Sequence, residues 1–127
     1  MGRAVRFGAV VLFLFTGNAP AQVDLTGTWY NAESTVWVRQ VGTDVWWVCQ
    51  STGDGGKSWT AAFHGKLNGN KLTGHFADVP KGENRMQGSL SGDLVIRGGK
   101  VASIEVEAIF SPSRERQTFR LTHTKPK

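Results

Sequence analysis

The sequence predicts an all-β fold, an antiparallel meander of about eight strands closed into a small barrel. Three observations lead there. Beyond residue 21, no stretch repeats apolar residues at i, i+3, i+4 and i+7 over three turns, while alternation and β-branched or aromatic enrichment recur throughout. Turn signals fall at short intervals, so successive strands should pair as neighbours. No helical segment is available to cover the sheet edges, and a meander that closes on itself removes their unpaired backbone groups.

The strands are expected at 25–31, 35–40, 44–50, 58–66, 71–78, 86–96 with a break near Gly92, 100–110 and 117–124. Val41-Gly42-Thr43 is a short connection between two Trp- and Val-rich runs. Asn68-Gly69 and Gly98-Gly99 tolerate the positive φ of tight hairpins. Pro80 to Asn84 and Ser111 to Arg116 read as longer polar loops, Pro112 ending the strand before it. In 44–50, Val45, Trp47 and Cys49 share one face and Trp46 and Val48 the other, so this strand is apolar on both sides and should be flanked or partly covered. In 100–110, Ala102, Ile104, Val106, Ala108 and Phe110 should face a packed layer.

Ahead of this domain, residues 1–21 read as a secretory signal peptide. Arg3 and Arg6 precede an apolar run over 7–15, and Ala19-Pro20-Ala21 has the small-x-small pattern of a cleavage site. That run is shorter than the about 20 apolar residues a spanning helix needs, and no later stretch approaches that length. The expected product is one soluble domain over 22–127, in the periplasm or secreted to the medium. Without residues 1–21 the chain has 106 residues with 13 basic and 10 acidic side chains, a net charge of +3 against +5 for the whole. Charges scattered singly give no stripe for a phosphate backbone, so nucleic acid is not an expected partner. Cys49, the only cysteine, has no internal disulfide partner and reads as a small buried hydrophobe.

Two motifs compete over Thr52 to Trp59, TGDGGKSW. A phosphate-binding loop would need a glycine where Ser51 stands and a helix after Ser58, and β-type alternation follows instead. Thr52-x-Asp54-x-Gly56-x-Ser58-Trp59 resembles the Asp box found in sialidases and unrelated proteins, where it closes a β-hairpin away from catalysis. Asp54 can accept hydrogen bonds from turn N–H groups, Gly56 can take φ values other residues avoid, and Trp59 can pack beneath the tip.

Leu25 to Asn31, LTGTWYN, resembles the G-x-W opening strand of the calycin barrels, the lipocalin and avidin group, and its wording is closest to the avidin branch. The resemblance implies structural roles for Gly27 and Trp29, the indole packing across one barrel end with Arg120 as its cationic cover. It also implies ligand contact at Asn31, with Thr35 as a nearby hydroxyl. The last strand lacks the Trp-Lys pattern and the aspartate that complete a biotin pocket in that branch, so biotin is not the ligand implied. The segment 38–82 also resembles a small exported β domain of bacteria and fungi, a likeness that names no activity.

The remaining chemistry points away from catalysis. His64, His75 and His123 lie on separate strands without the short-spaced pair usual in zinc sites, so no metal is expected. Glu105 and Glu107 sit two apart on one face, as solvated glutamates do, and no nucleophile signature is present. All five tryptophans fall in the first half of the chain. The expected function is therefore non-catalytic, without cofactor: a small molecule held in the barrel mouth by Asn31 and Arg39, with Trp37 and Trp47 as walls. The alternatives are a secreted protein-interaction or inhibitor module presenting loops to an unidentified protein, and a surface carbohydrate-binding domain using exposed indoles.

Overall fold

A computed structural model describes residues 23–126; the signal-peptide reading of 1–21 lies outside them. Eight strands follow one another: β1 (Gly27–Tyr30), β2 (Ser34–Val41), β3 (Asp44–Ser51), β4 (Thr60–Asn68), β5 (Lys71–Asp78), β6 (Gln87–Arg97), β7 (Lys100–Phe110) and β8 (Arg116–Leu121). They form one antiparallel sheet in chain order, so every ladder joins sequence neighbours. Gly42, Gly69, Gly98 and Gly99 all have positive φ at the hairpin turns, as the turn signals required.

The meander is strongly curled, but as a half-barrel rather than the closed barrel expected. At the seam only Tyr30 and Thr122 pair: Tyr30 N–H donates to Thr122 O at 2.7 Å and Thr122 N–H to Tyr30 O at 2.9 Å. The physical reason is length. Four residues of β1 extend only roughly 13 Å, too little to pair along the whole of β8.

The curl itself has a local cause. Gly65 and Gly74 are direct register partners on β4 and β5, and the ring of Phe63 lies against both. A Cβ at Gly65 would sit 2.2 Å from Thr73 O, and one at Gly74 2.2 Å from His64 O. Two backbones approach there as only glycine permits, and the sheet bends under a covering aromatic ring. The break anticipated near Gly92 is absent, because β6 runs through it; Gly92 is buried on the inner face, where its missing side chain leaves room for Ile104.

The inner face is a continuous apolar core that includes Leu25, Trp29, Val36, Val38, Val45, Trp47, Phe63 and Leu72. The alternation expected for β7 holds from Ile104 to Ala108 and fails at Ala102, which is exposed. A register shift between Val95 and Ile96 leaves one extra residue in β7, so Ser103 and Ile104 are buried consecutively.

Trp29 is fully buried, and its Nε1–H donates to Leu25 O at 2.8 Å. Its cover differs from the expectation. Arg120 shares β8 with the inward Leu121 but points the other way, and its Nε–H reaches Glu105 Oε2 at 2.6 Å. The ring over Trp29 belongs to His123, 3.6 Å between centroids, held by a 3.0 Å hydrogen bond from its Nδ1 to Thr28 O. Gly27, at φ +139° beside this ring, keeps the glycine-only conformation at the start of β1. Gln40 ties the entering chain down by accepting from Leu25 N–H and donating to Val23 O.

Candidate functional site

The residues expected to line one barrel mouth do not converge. Trp47 faces inward at 5% exposure and stacks on Phe63 with centroids 4.2 Å apart. Trp37 and Arg39 lie on the outer face, since they alternate with the buried Val36 and Val38. Asn31 lies in the β1–β2 turn, where its Oδ1 accepts from Glu33 N–H, Ser34 N–H and the Ser34 hydroxyl. That is a turn cap, and the oxygen is already saturated. Thr35 bonds Thr52 across the β2 and β3 ends at 3.2 Å.

At the Thr52 to Trp59 tip, Asp54 and Gly56 take the parts the motif implied. Asp54 accepts from Gly56, Lys57 and Ser58 N–H groups and from the hydroxyls of Ser51 and Ser58. These donors, the hydroxyls foremost, hold its carboxyl at about 2, below the ordinary 3.8. Gly56 has φ +86° and is enclosed by Gln50 and Thr60. Half-buried Trp59 ends the tip, where its backbone carbonyl accepts from Ser51 N–H at 3.1 Å. Lys81 Nζ donates to Gly55 O at 2.9 Å, so the 79–86 loop is laced to this hairpin.

What the fold does assemble lies outside. Trp37 and Trp46 are each 43% exposed, with Val48 at 54% and Val41 at 51% beside them. Register explains their meeting: Trp37 pairs with Val48 and Arg39 with Trp46, so the two indoles sit diagonally on adjacent strands. Trp46 stacks on His64 at 4.9 Å and 19°. Strand β3 is flanked on both edges and partly covered on this side by His64, while Trp46 and Val48 stay exposed.

The Arg39–Trp46 pair begins an unbroken cross-strand row, Arg39, Trp46, His64, His75, Ser89, Ile109 and Arg116, one residue from each of β2 to β8. Two open concavities adjoin along it and share His75, Ser89 and Ile109. Acids beside the row are engaged. Asp44 takes Lys66 at 2.7 Å, which holds its carboxyl below the usual range, and Glu107 takes Arg116 at 2.9 Å. Among the described residues, no group of three or more His, Cys, Asp and Glu side chains is placed to hold a metal ion.

Burial raises the Cys49 thiol to about 12; it packs against the core with its Sγ toward Ala61 O. Among the described residues no helix is long and apolar enough to cross a membrane.

The outer row escaped the sequence reading, although a signal for it exists. A two-residue turn at Gly69-Asn70 fixes His64 opposite His75 and Gly65 opposite Gly74. Hairpin arithmetic from that turn pairs the two histidines across their separate strands.

Fold and face together define a small all-β meander with a filled inner face and an aromatic, hydrogen-bonding outer belt. No family model matches the chain, and no curated protein or solved structure matches it.

Proposed function

We propose that the protein is an exported, non-catalytic binding module of the calycin-like barrel type, released to the periplasm or medium after loss of residues 1–21. Its ligand is a saccharide held on the outer face by Trp37 and Trp46, with Arg39 and His64 donating to ring hydroxyls. A sugar ring has an apolar face and polar edges; an exposed indole beside hydrogen-bonding side chains complements both. The single observation carrying this reading is the pair of adjacent outward indoles, each 43% exposed, on a sheet whose other face already buries its aromatic rings. The barrel-mouth alternative has less support, because Trp47 is stacked into the core and the Asn31 oxygen is spent on its own turn.

Titrating intrinsic tryptophan fluorescence with neutral cello-, chito- and manno-oligosaccharides tests the proposal. A saturable change with one series, weakened at least about ten-fold, or roughly 1.4 kcal/mol, by Trp46→Ala is expected. No saturable change with any series would overturn the reading. Binding that survives Trp37→Ala/Trp46→Ala would return the ligand to the interior.

A further inference from the structure

We infer that the outer row continues from the indoles into an anion-binding groove, and that the ligand is a linear acidic polysaccharide whose carboxylate or sulfate groups lodge beside His75 and Arg114. This rests on the saccharide reading of Trp37 and Trp46 and extends it to a ligand class.

Direction comes first. The row from Arg39 to Arg116 crosses six strand intervals, roughly 29 Å at the usual spacing between strands. A single sugar cannot fill that length, whereas a chain laid across the strands can. The two concavities along it share one floor, so the track past His75 and Ser89 is continuous.

Charge gives the ligand class. The basic groups along the track are Arg39, His64, Lys66, His75, Arg114 and Arg116, and the acids beside them are Asp24, which lies in the field of Arg39, Asp44 and Glu107. Asp44 and Glu107 are occupied, by Lys66 and Arg116. The side chains of His75 and Arg114 have no hydrogen-bond, ion-pair or ring partner among the described residues, although both line the concavity at the Arg116 end of the row, with the Ser89 hydroxyl and Gln87 amide beside them. An arginine and a histidine without an acidic partner suit an oxyanion.

The backbone adds an independent mark. Arg114 is the one non-glycine among the described residues with positive φ, at 67°, a conformation that a long side chain adopts at a cost. Its N–H donates to Phe110 O at 2.8 Å, and Glu115 O accepts from Phe110 N–H at 2.9 Å, fixing the loop at the end of the groove. Glycine or asparagine would turn the chain there more cheaply, so the arginine head group is what the turn presents.

Calorimetry with oligogalacturonate, its methyl ester and a sulfated dextran oligomer tests the inference, alongside inorganic sulfate followed by the Arg114 Nε–Hε resonance. Acidic oligomers should bind at least ten-fold tighter than the neutral ester, and the excess should shrink with added salt. Arg114→Gln with His75→Gln should erase the preference and leave the ester's affinity unchanged. A preference for uronate or for sulfated dextran identifies which oxyanion is carried. Equal binding of acid and ester, or a preference that survives both substitutions, overturns the inference. Should no oligomer bind while sulfate shifts the Arg114 Nε–Hε resonance and His75→Gln alone abolishes that shift, the anion site stands and the saccharide reading falls.

Discussion

Asp54 shows how one side chain can hold a whole loop. Five donors converge on its two oxygens, so Asp54→Asn keeps the shape but loses the charge that aligns them. Its folded carboxyl titrates at about 2 instead of 3.8, so its contribution is complete above pH 3.8 and disappears as pH falls through about 2. Urea midpoints of the wild type and Asp54→Asn should differ by a constant amount above that upper limit and converge below the lower one. Trp29 and Trp37 make a second contrast. Trp29→Ala removes a fully buried indole and should cost ~3–5 kcal/mol, whereas Trp37→Ala on the exposed face should fall within ~0.5 kcal/mol, both read from denaturant melts. The importance of Trp29 was legible in the GTWY wording, but the identity of its cover was not. Parity on β8 sends Arg120 outward, and the ring that lands on the indole comes from His123, just beyond the strand.

At the scale of elements, the paired glycines of β4 and β5 decide the curvature. Gly74→Ala would force a Cβ to 2.2 Å from His64 O, so the two strands must part, and a loss of ~2 kcal/mol with altered near-ultraviolet dichroism from Phe63 and Trp47 is the expected result. Gly69→Asn, in an open turn at φ +62°, should cost far less. Alternation and turn residues made all eight strands readable, because a period of two and a glycine turn are local properties. The faces of β7 were readable only as far as Ile104. The extra residue in the bulge depends on how β6 and β7 meet, and no pattern within β7 alone announces it. The separation of Trp37 and Arg39 from Trp47 has a similar origin: the first two alternate with buried Val36 and Val38, while Trp47 pairs with Val38 on the inner side.

For the molecule as a whole, the seam is the weak line. Every ladder but one residue pair lies between sequence neighbours, and the ends of the sheet are joined by two backbone hydrogen bonds and the one from His123 to Thr28 O. Amides of β1 should therefore exchange with solvent faster than those of β4 and β5 by native-state hydrogen exchange. Removing residues 122–127 would take away both seam bonds and the His123 ring, and should lower Tm and expose the Trp29 indole, seen as a red-shifted emission. Closure was overestimated from the sequence because strand number was legible while the usable length of β1 was not.

That same meeting of Thr28 with His123 means the two limits of the sheet are close enough for a short peptide to splice them. A circularly permuted chain, joined there and opened between Gly69 and Asn70, would keep every remaining hairpin intact and turn β5 into the leading strand and β4 into the trailing one. Such a molecule should fold and retain its outward tryptophans, since the new join strengthens the seam while the opening gives up a single turn.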